Sequence, residues 1–236
     1  MSISPRHVRA VIRKELREYR HNGSIVGTMA VIPLIFILPT LIHIFGATAG
    51  SGPADLLLYM LGIPALVPAV VAAYSVVGER QQGTLEPVLT TPVRREEFML
   101  GKALAALIPS LAISYGVYLV VIACVELFAH PGVAPELVRW PELLAQLLFS
   151  PLLAGWSIWV GIAISTRFGE ARVAQQLGAL ASFPSVLLVA LIAFGVIPAS
   201  LGLTIAGAGL LVLLNGLGWR ITSAAFQRER LVSGTR

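Results

Sequence analysis

Of 236 residues, 56% are hydrophobic and only 12% charged, about half the charge of an ordinary soluble domain. With a mean hydropathy of +0.83 and one cysteine, Cys124, the composition excludes a water-soluble enzyme, a disordered tail and a disulfide-stapled secreted scaffold. The surplus of basic residues, 17 Lys and Arg against 12 Asp and Glu with a pI near 9.9, then reads as a membrane protein with basic faces.

The chain opens on an amphipathic segment, 5–21. Ser4 is placed to cap it and Pro5 suits its first turn. Val8, Val11, Ile12, Leu16 and Tyr19 recur at helical spacing, with Arg6, Arg9, Arg13, Arg17 and Arg20 opposite them. This pattern predicts a helix lying in the membrane interface, apolar side to lipid and arginines to headgroups.

Six apolar runs long enough to span a bilayer follow, at about 25–46, 56–77, 103–125, 143–166, 177–195 and 201–219. The fold class expected is therefore all-α: a six-span bundle over 25–219, preceded by the interfacial helix within 1–23 and followed by a basic tail over 220–236. The whole chain reads as one membrane domain. Pro198 and its small neighbours predict a tight hairpin between the last two spans. The first span ends in Ala47-Thr48-Ala49, as a cleaved signal would. Its start is long and contains Glu15 and Glu18, so the span is expected to be retained.

Loop charges set the orientation. Arg6, Arg9, Arg13, Lys14, Arg17 and Arg20 precede the first span. Arg80, Arg94, Arg95 and Lys102 lie between spans two and three, and Arg167 and Arg172 between four and five. Arg220, Arg228, Arg230 and Arg236 follow span six. Only Arg139 falls on the other side, which predicts that both termini are cytoplasmic.

Residues 78–102, between spans two and three, carry most of the remaining information. Gly83 can break the helix leaving the membrane, and Thr84 can cap a short helix with Leu85, Val88 and Leu89 on one apolar stripe. Thr91-Pro92 can begin the next helix, with Glu96 and Glu97 in its early turns, where the dipole favours acids. A short apolar-faced helix held between two breaks suits docking into a groove of another protein.

The ordered run Glu79-Arg80, Gly83-Thr84-Leu85-Glu86, Leu89-Thr90-Thr91-Pro92-Val93, Arg95-Glu96 and Gly101-Lys102 resembles the signature of type-2 ABC exporter permeases. The opening Val11-Ile12-Arg13-Lys14-Glu15-Leu16-Arg17-Glu18, the six-span layout and the length share that resemblance, which covers essentially the whole chain. The chain departs from the family pattern at Gln81 and Gln82, where a second acid often stands, and at Pro87 inside the short helix.

The resemblance implies a permease with no cofactor of its own, ATP and Mg being bound by two copies of a separate ABC ATPase. It implies a second permease chain, identical or related, to complete one pathway. It places ATPase coupling on Glu79, Gly83, Thr84, Leu85, Glu86, Val88, Leu89, Thr91 and Pro92, and a connecting-helix role on Arg13, Lys14, Leu16 and Arg17. The family's usual setting implies a bacterial plasma membrane.

The residues themselves give no sign of an enzyme. The P-loop pattern is missing, Gly101-Lys102 being followed by Ala103, and Lys102 reads as a snorkelling anchor at the base of span three. Gly155-Trp156-Ser157 lacks the second glycine of a nucleophile elbow and has no histidine in spans four to six. His7, His21, His43 and His130 share no ligand spacing. An ion-coupled secondary carrier is the alternative, but such carriers hold an ionisable group at mid-membrane. At 1.5 Å per residue, Glu126 falls about 35 Å above Ala103, at the far headgroups. Ser110, Ser114 and Tyr118, four residues apart on span three, are candidate pathway groups as well as ordinary packing groups. Such a route suits a lipid-like or amphipathic drug-like molecule.

Overall fold

A computed structural model describes residues 4–46, 56–81, 94–128, 139–198 and 200–233. Among these residues the chain is helical throughout, with no strand. It forms α1 (Pro5–His21), α2 (Gly23–Gly46), a 3-10 segment (Leu56–Leu61), α3 (Gly62–Gln81), α4 (Arg95–Phe128), α5 (Trp140–Ser165), α6 (Ala171–Ala193) and α7 (Leu201–Ser233). Six of these helical stretches are long and apolar enough to cross a membrane.

The element boundaries differ from the sequence expectation at several places, α5 and α6 starting at Trp140 and Ala171 where 143 and 177 were expected. The helix of span three begins at Arg95 and not at Thr91-Pro92, with Glu96 and Glu97 in its first turn as expected, because Glu97 reaches back to accept the Arg94 backbone N–H at 3.1 Å and so caps the helix there. The last helix continues to Ser233, past the expected start of a separate tail at 220, as nothing in its sequence breaks it. The hairpin between α6 and α7 is set by glycine ahead of Pro198. Gly195 takes φ +72°, and the N–H groups of Gly195 and Val196 close back on the carbonyls of Ile192 and Leu191, at 2.9 Å each. This pairing ends α6 in a left-handed cap that a side-chain-bearing residue resists.

The span α3 is the most enclosed of the six and α7 the least. Small residues allow this. Alanines 69, 72 and 73 form the α3 surface on which α5 and α6 close. A Cβ added to Gly161 of α5 would stand 2.5 Å from the Ala69 carbonyl, and one on Gly178 of α6 would stand 3.1 Å from it. Without larger side chains the backbones approach closely, which is how helices associate where lipid removes the hydrophobic incentive. The Ser165 hydroxyl accepts from the N–H groups of Val76 and Val77 at 3.0 and 2.9 Å, and Ser157 donates to the Ala65 carbonyl at 2.6 Å. Phe36 of α2 packs at a tilt on Tyr59, and Tyr59 on Phe194 at the C-cap of α6, tying the 3-10 segment into the bundle.

The helix α7 leans mainly on α5. Asn215 donates to the Leu152 carbonyl at 2.9 Å, and Trp159 meets Trp219 edge-on at 5.4 Å. Its remaining face exposes Leu201, Ile205, Leu213 and Ile221, as α2 exposes Val31, Ile35, Leu38 and Ile42. Such apolar faces suit lipid.

Candidate functional site: a buried ion-pair cluster joining three helices

The helix α1 packs on the bundle rather than lying free. Val8, Val11 and Tyr19 are buried, and Arg6, Arg9, Arg13, Arg17 and Arg20 are exposed. The amphipathic reading locates the helix, but its apolar side faces protein and not lipid. The reason is Gly101 on α4: a Cβ there would stand 2.7 Å from Val11 Cβ and Cγ1, so only glycine lets the helices touch at this crossing. Ser4 occupies the N-cap position, yet its side chain makes no capping bond. Its backbone N–H donates instead to Glu97 Oε1 at 2.7 Å.

Two carboxylates and two amines gather where α1, α3 and α4 meet. Lys102 of α4 is 1% exposed, as are Glu15 of α1 and Glu79 of α3. Lys102 Nζ donates to Glu15 Oε1 at 2.9 Å and to the Ser75 carbonyl at 2.7 Å, and lies 3.3 Å from Glu79 Oε2. The Phe98 ring lies beneath the ammonium at 4.9 Å. Lys14, more exposed, donates to Glu79 Oε1 and lies 3.8 Å from Glu15. The charges balance, and Lys102 has two hydrogen-bond acceptors with the Glu79 carboxylate close by as an ion-pair partner. A buried charge is tolerated only on those terms.

The snorkelling role expected for Lys102 is therefore corrected: its amine turns inward, because Glu15, Glu79 and a helix carbonyl await it there. A second contact lies a turn away, where His7 Nδ1 donates to Glu97 Oε2 at 2.8 Å. Glu97 thus caps its own helix and holds the start of α1 at once.

The electrostatics follow from burial and proximity. Burial raises the Glu15 carboxyl more than the charge and hydrogen bond of Lys102 lower it, leaving it above its ordinary 4.5. Burial alone would lower the Lys14 amine, but the hydrogen bond and charge of Glu79, joined by Glu15 and Glu18, hold it above 10.5. Burial also pushes the Tyr19 phenol well above its usual value, with Glu15 adding to the effect.

The expected site residues divide accordingly. Glu79 and Lys14 meet in the cluster, Leu16 packs against the core, and Arg13 and Arg17 stay exposed on α1. Ser110, Ser114 and Tyr118 lie together on α4, all buried. Gly83, Thr84, Leu85, Glu86, Val88, Leu89, Thr91 and Pro92 lie outside the described residues. The sequence reading missed Glu15, Lys102 and Glu97 as one end of a clamp. A signal for Glu15 was present, since it interrupts the buried stripe of Val8, Val11 and Tyr19 at helical spacing. Among the described residues, no three His, Cys, Asp or Glu side chains are arranged to hold a metal.

The cluster ties α1, the end of α3 and the start of α4 to one another through side chains. No curated protein matches the chain significantly. A family model described as ABC-2 type transporter matches residues 6–201, from α1 through the beginning of α7. That family is the membrane component of ABC transporters, itself not catalytic, and it works with an ABC ATPase. On this match, which covers most of its length, the chain belongs to the ABC-2 type transporter family and is a multi-pass permease component of an ABC transporter.

Proposed function

We propose that this chain is the permease of an ATP-driven exporter, coupled to its ATPase through the segment that leaves α3. The observation that carries the reading is the Lys102–Glu15–Glu79 cluster. A force delivered between α3 and α4 would be shared at once with α1, because buried ion pairs join all three. In this reading Gly83, Thr84, Leu85, Glu86, Val88 and Leu89 form the helix that docks on the ATPase. Thr91 and Pro92 lead back into α4, and the exposed Arg13 and Arg17 offer the ATPase a second contact. Two ATPase copies supply ATP and Mg binding, and a second permease, the same chain or a relative, completes the pathway. Both termini lie in the cytoplasm of a bacterial cell and the bundle in its plasma membrane, as the loop charges support. The cargo is a lipid-like or amphipathic molecule, supported by the hydroxyls of Ser110, Ser114 and Tyr118 within the uncharged apolar run 103–125 of α4.

Co-purification with a candidate ATPase, followed by transport in proteoliposomes, tests the proposal. The wild-type chain is expected to co-elute and to export only with ATP. Leu85→Arg with Leu89→Asp should abolish both while leaving the bundle folded. Transport driven by an ion gradient with no ATPase present would overturn the reading.

A further inference from the structure

The helices α4 and α5 run antiparallel, and each carries polar side chains at four-residue intervals toward the other. These are Ser110, Ser114 and Tyr118 on α4 and Glu142, Gln146 and Ser150 on α5. Four steps up one helix are matched by four steps down the other. Gln146 Nε2 donates to Ser114 Oγ at 3.4 Å, a pairing that sets Tyr118 level with Glu142 one step away. By the same register Ser110 stands level with Ser150. The result is a three-rung polar ladder inside an apolar bundle.

This ladder is closed to lipid, and its hydrogen bonding is incomplete. Ser110, Ser114 and Ser150 are 0% exposed, Gln146 2% and Tyr118 5%. Among the described residues, Ser110 Oγ, Gln146 Oε1 and the Tyr118 hydroxyl form no hydrogen bond with protein. Ser150 Oγ likewise forms no hydrogen bond with protein, and the Tyr115 hydroxyl donates to the Leu147 carbonyl at 3.1 Å. Each buried polar atom without a partner costs about 1–3 kcal/mol, and acyl chains offer it nothing. The open positions combine hydroxyls, which both donate and accept, with an amide oxygen, which only accepts.

We propose that the seam between α4 and α5 is a binding site for water. Water matches this donor and acceptor set, and a buried water needs two to four polar partners. Glu142, the rung nearest the end of the bundle opposite α1, lies two residues beyond Trp140, which is 77% exposed. Ser150 is ten residues beyond Trp140, about 15 Å at the helical rise, so the bound water reaches roughly the middle of a 30 Å apolar layer. The proposal stands whether or not the transport reading does.

X-ray hydroxyl-radical labelling of the full chain in lipid nanodiscs, in oxygen-18 water, tests it by mass spectrometry. Water bound in the seam generates radicals in place. Tyr118 should therefore be modified about tenfold faster than Met60 and Met99, which are at least as buried and react with hydroxyl radical about as fast. A Tyr118 rate no higher than theirs overturns the proposal. A second measurement uses Ser110→Ala with Ser150→Ala. In a dry seam these changes remove unpaired hydroxyls and leave the melting temperature unchanged or higher, which would overturn the proposal. In a hydrated seam they remove anchors of the water, lowering both the melting temperature and the Tyr118 labelling.

Discussion

Lys102 and Glu15 are separated by 87 positions in the chain and meet at 2.9 Å with both side chains withdrawn from solvent. One lies at the base of a membrane helix and the other on a helix that the sequence alone assigns to the lipid interface. Their contact turns α1 from a peripheral element into part of the bundle, and it explains why the basic opening segment carries an acid on its apolar side.

Removing one partner should cost more than the pair contributes. Lys102→Met leaves Glu15 and Glu79 buried beside each other, and the expected loss is about 3–5 kcal/mol of stability. Adding Glu15→Gln to it should recover part of that loss, since one stranded charge goes. Thermal melts of the four combinations in a double-mutant cycle measure the coupling. Equal stability of Lys102→Met and wild type would show that the cluster does not hold α1 down.

Gly101→Val should lift α1 from α4. The added Cβ would stand 2.7 Å from Val11, on a rigid branched side chain. Limited trypsin digestion should then cut α1 at its exposed arginines while the spans remain intact. Val11→Gly in the same chain should restore part of that protection, because it removes both the Cβ and the Cγ1 that the new atom meets, whereas Val11→Ala keeps the Cβ and should not.

The α3 wedge predicts a ranking among glycines. Gly161→Ala meets the Ala69 backbone at 2.5 Å and should destabilise by about 1–3 kcal/mol. Gly178→Ala, at 3.1 Å, should cost less, and Gly116→Ala and Gly209→Ala, with open space around the new atom, should be neutral or stabilising by up to about 1 kcal/mol. Melting temperatures in detergent check the order. A tolerant Gly161 would contradict the close approach.

The pH dependence of α1 docking has two windows. Lys14 titrates above 10.5 in the folded chain, so its pairing with Glu79 contributes fully below 10.5 and fades as pH rises through the folded value. Glu15 also titrates above its ordinary value of 4.5. The folded chain holds that proton more tightly than the unfolded chain, so this group favours folding below 4.5 and loses that contribution as pH rises through its folded value. Melts across pH for wild type, Lys14→Met and Glu15→Gln should show the alkaline loss vanish in the first variant and the acid-side effect in the second.

The number of spans, their all-helical character and the helical amphipathicity of residues 5–21 were determined by the sequence alone. Each rests on local periodicity and on length against bilayer thickness, which neighbours do not alter. The ordered motif after span two pointed to the family that the match over residues 6–201 then showed. Tertiary structure decided what covers α1, where Lys102 points, and that Ser110, Ser114 and Tyr118 have counterparts on α5. Those outcomes depend on which helices approach closely enough, at Gly101, Gly161 and Gly178, for distant polar groups to meet. The opening surplus of basic residues divides along the same line. Its sorting to one side is legible in the chain, but that one of its lysines is buried between two acids depends on contacts across 27 to 87 positions.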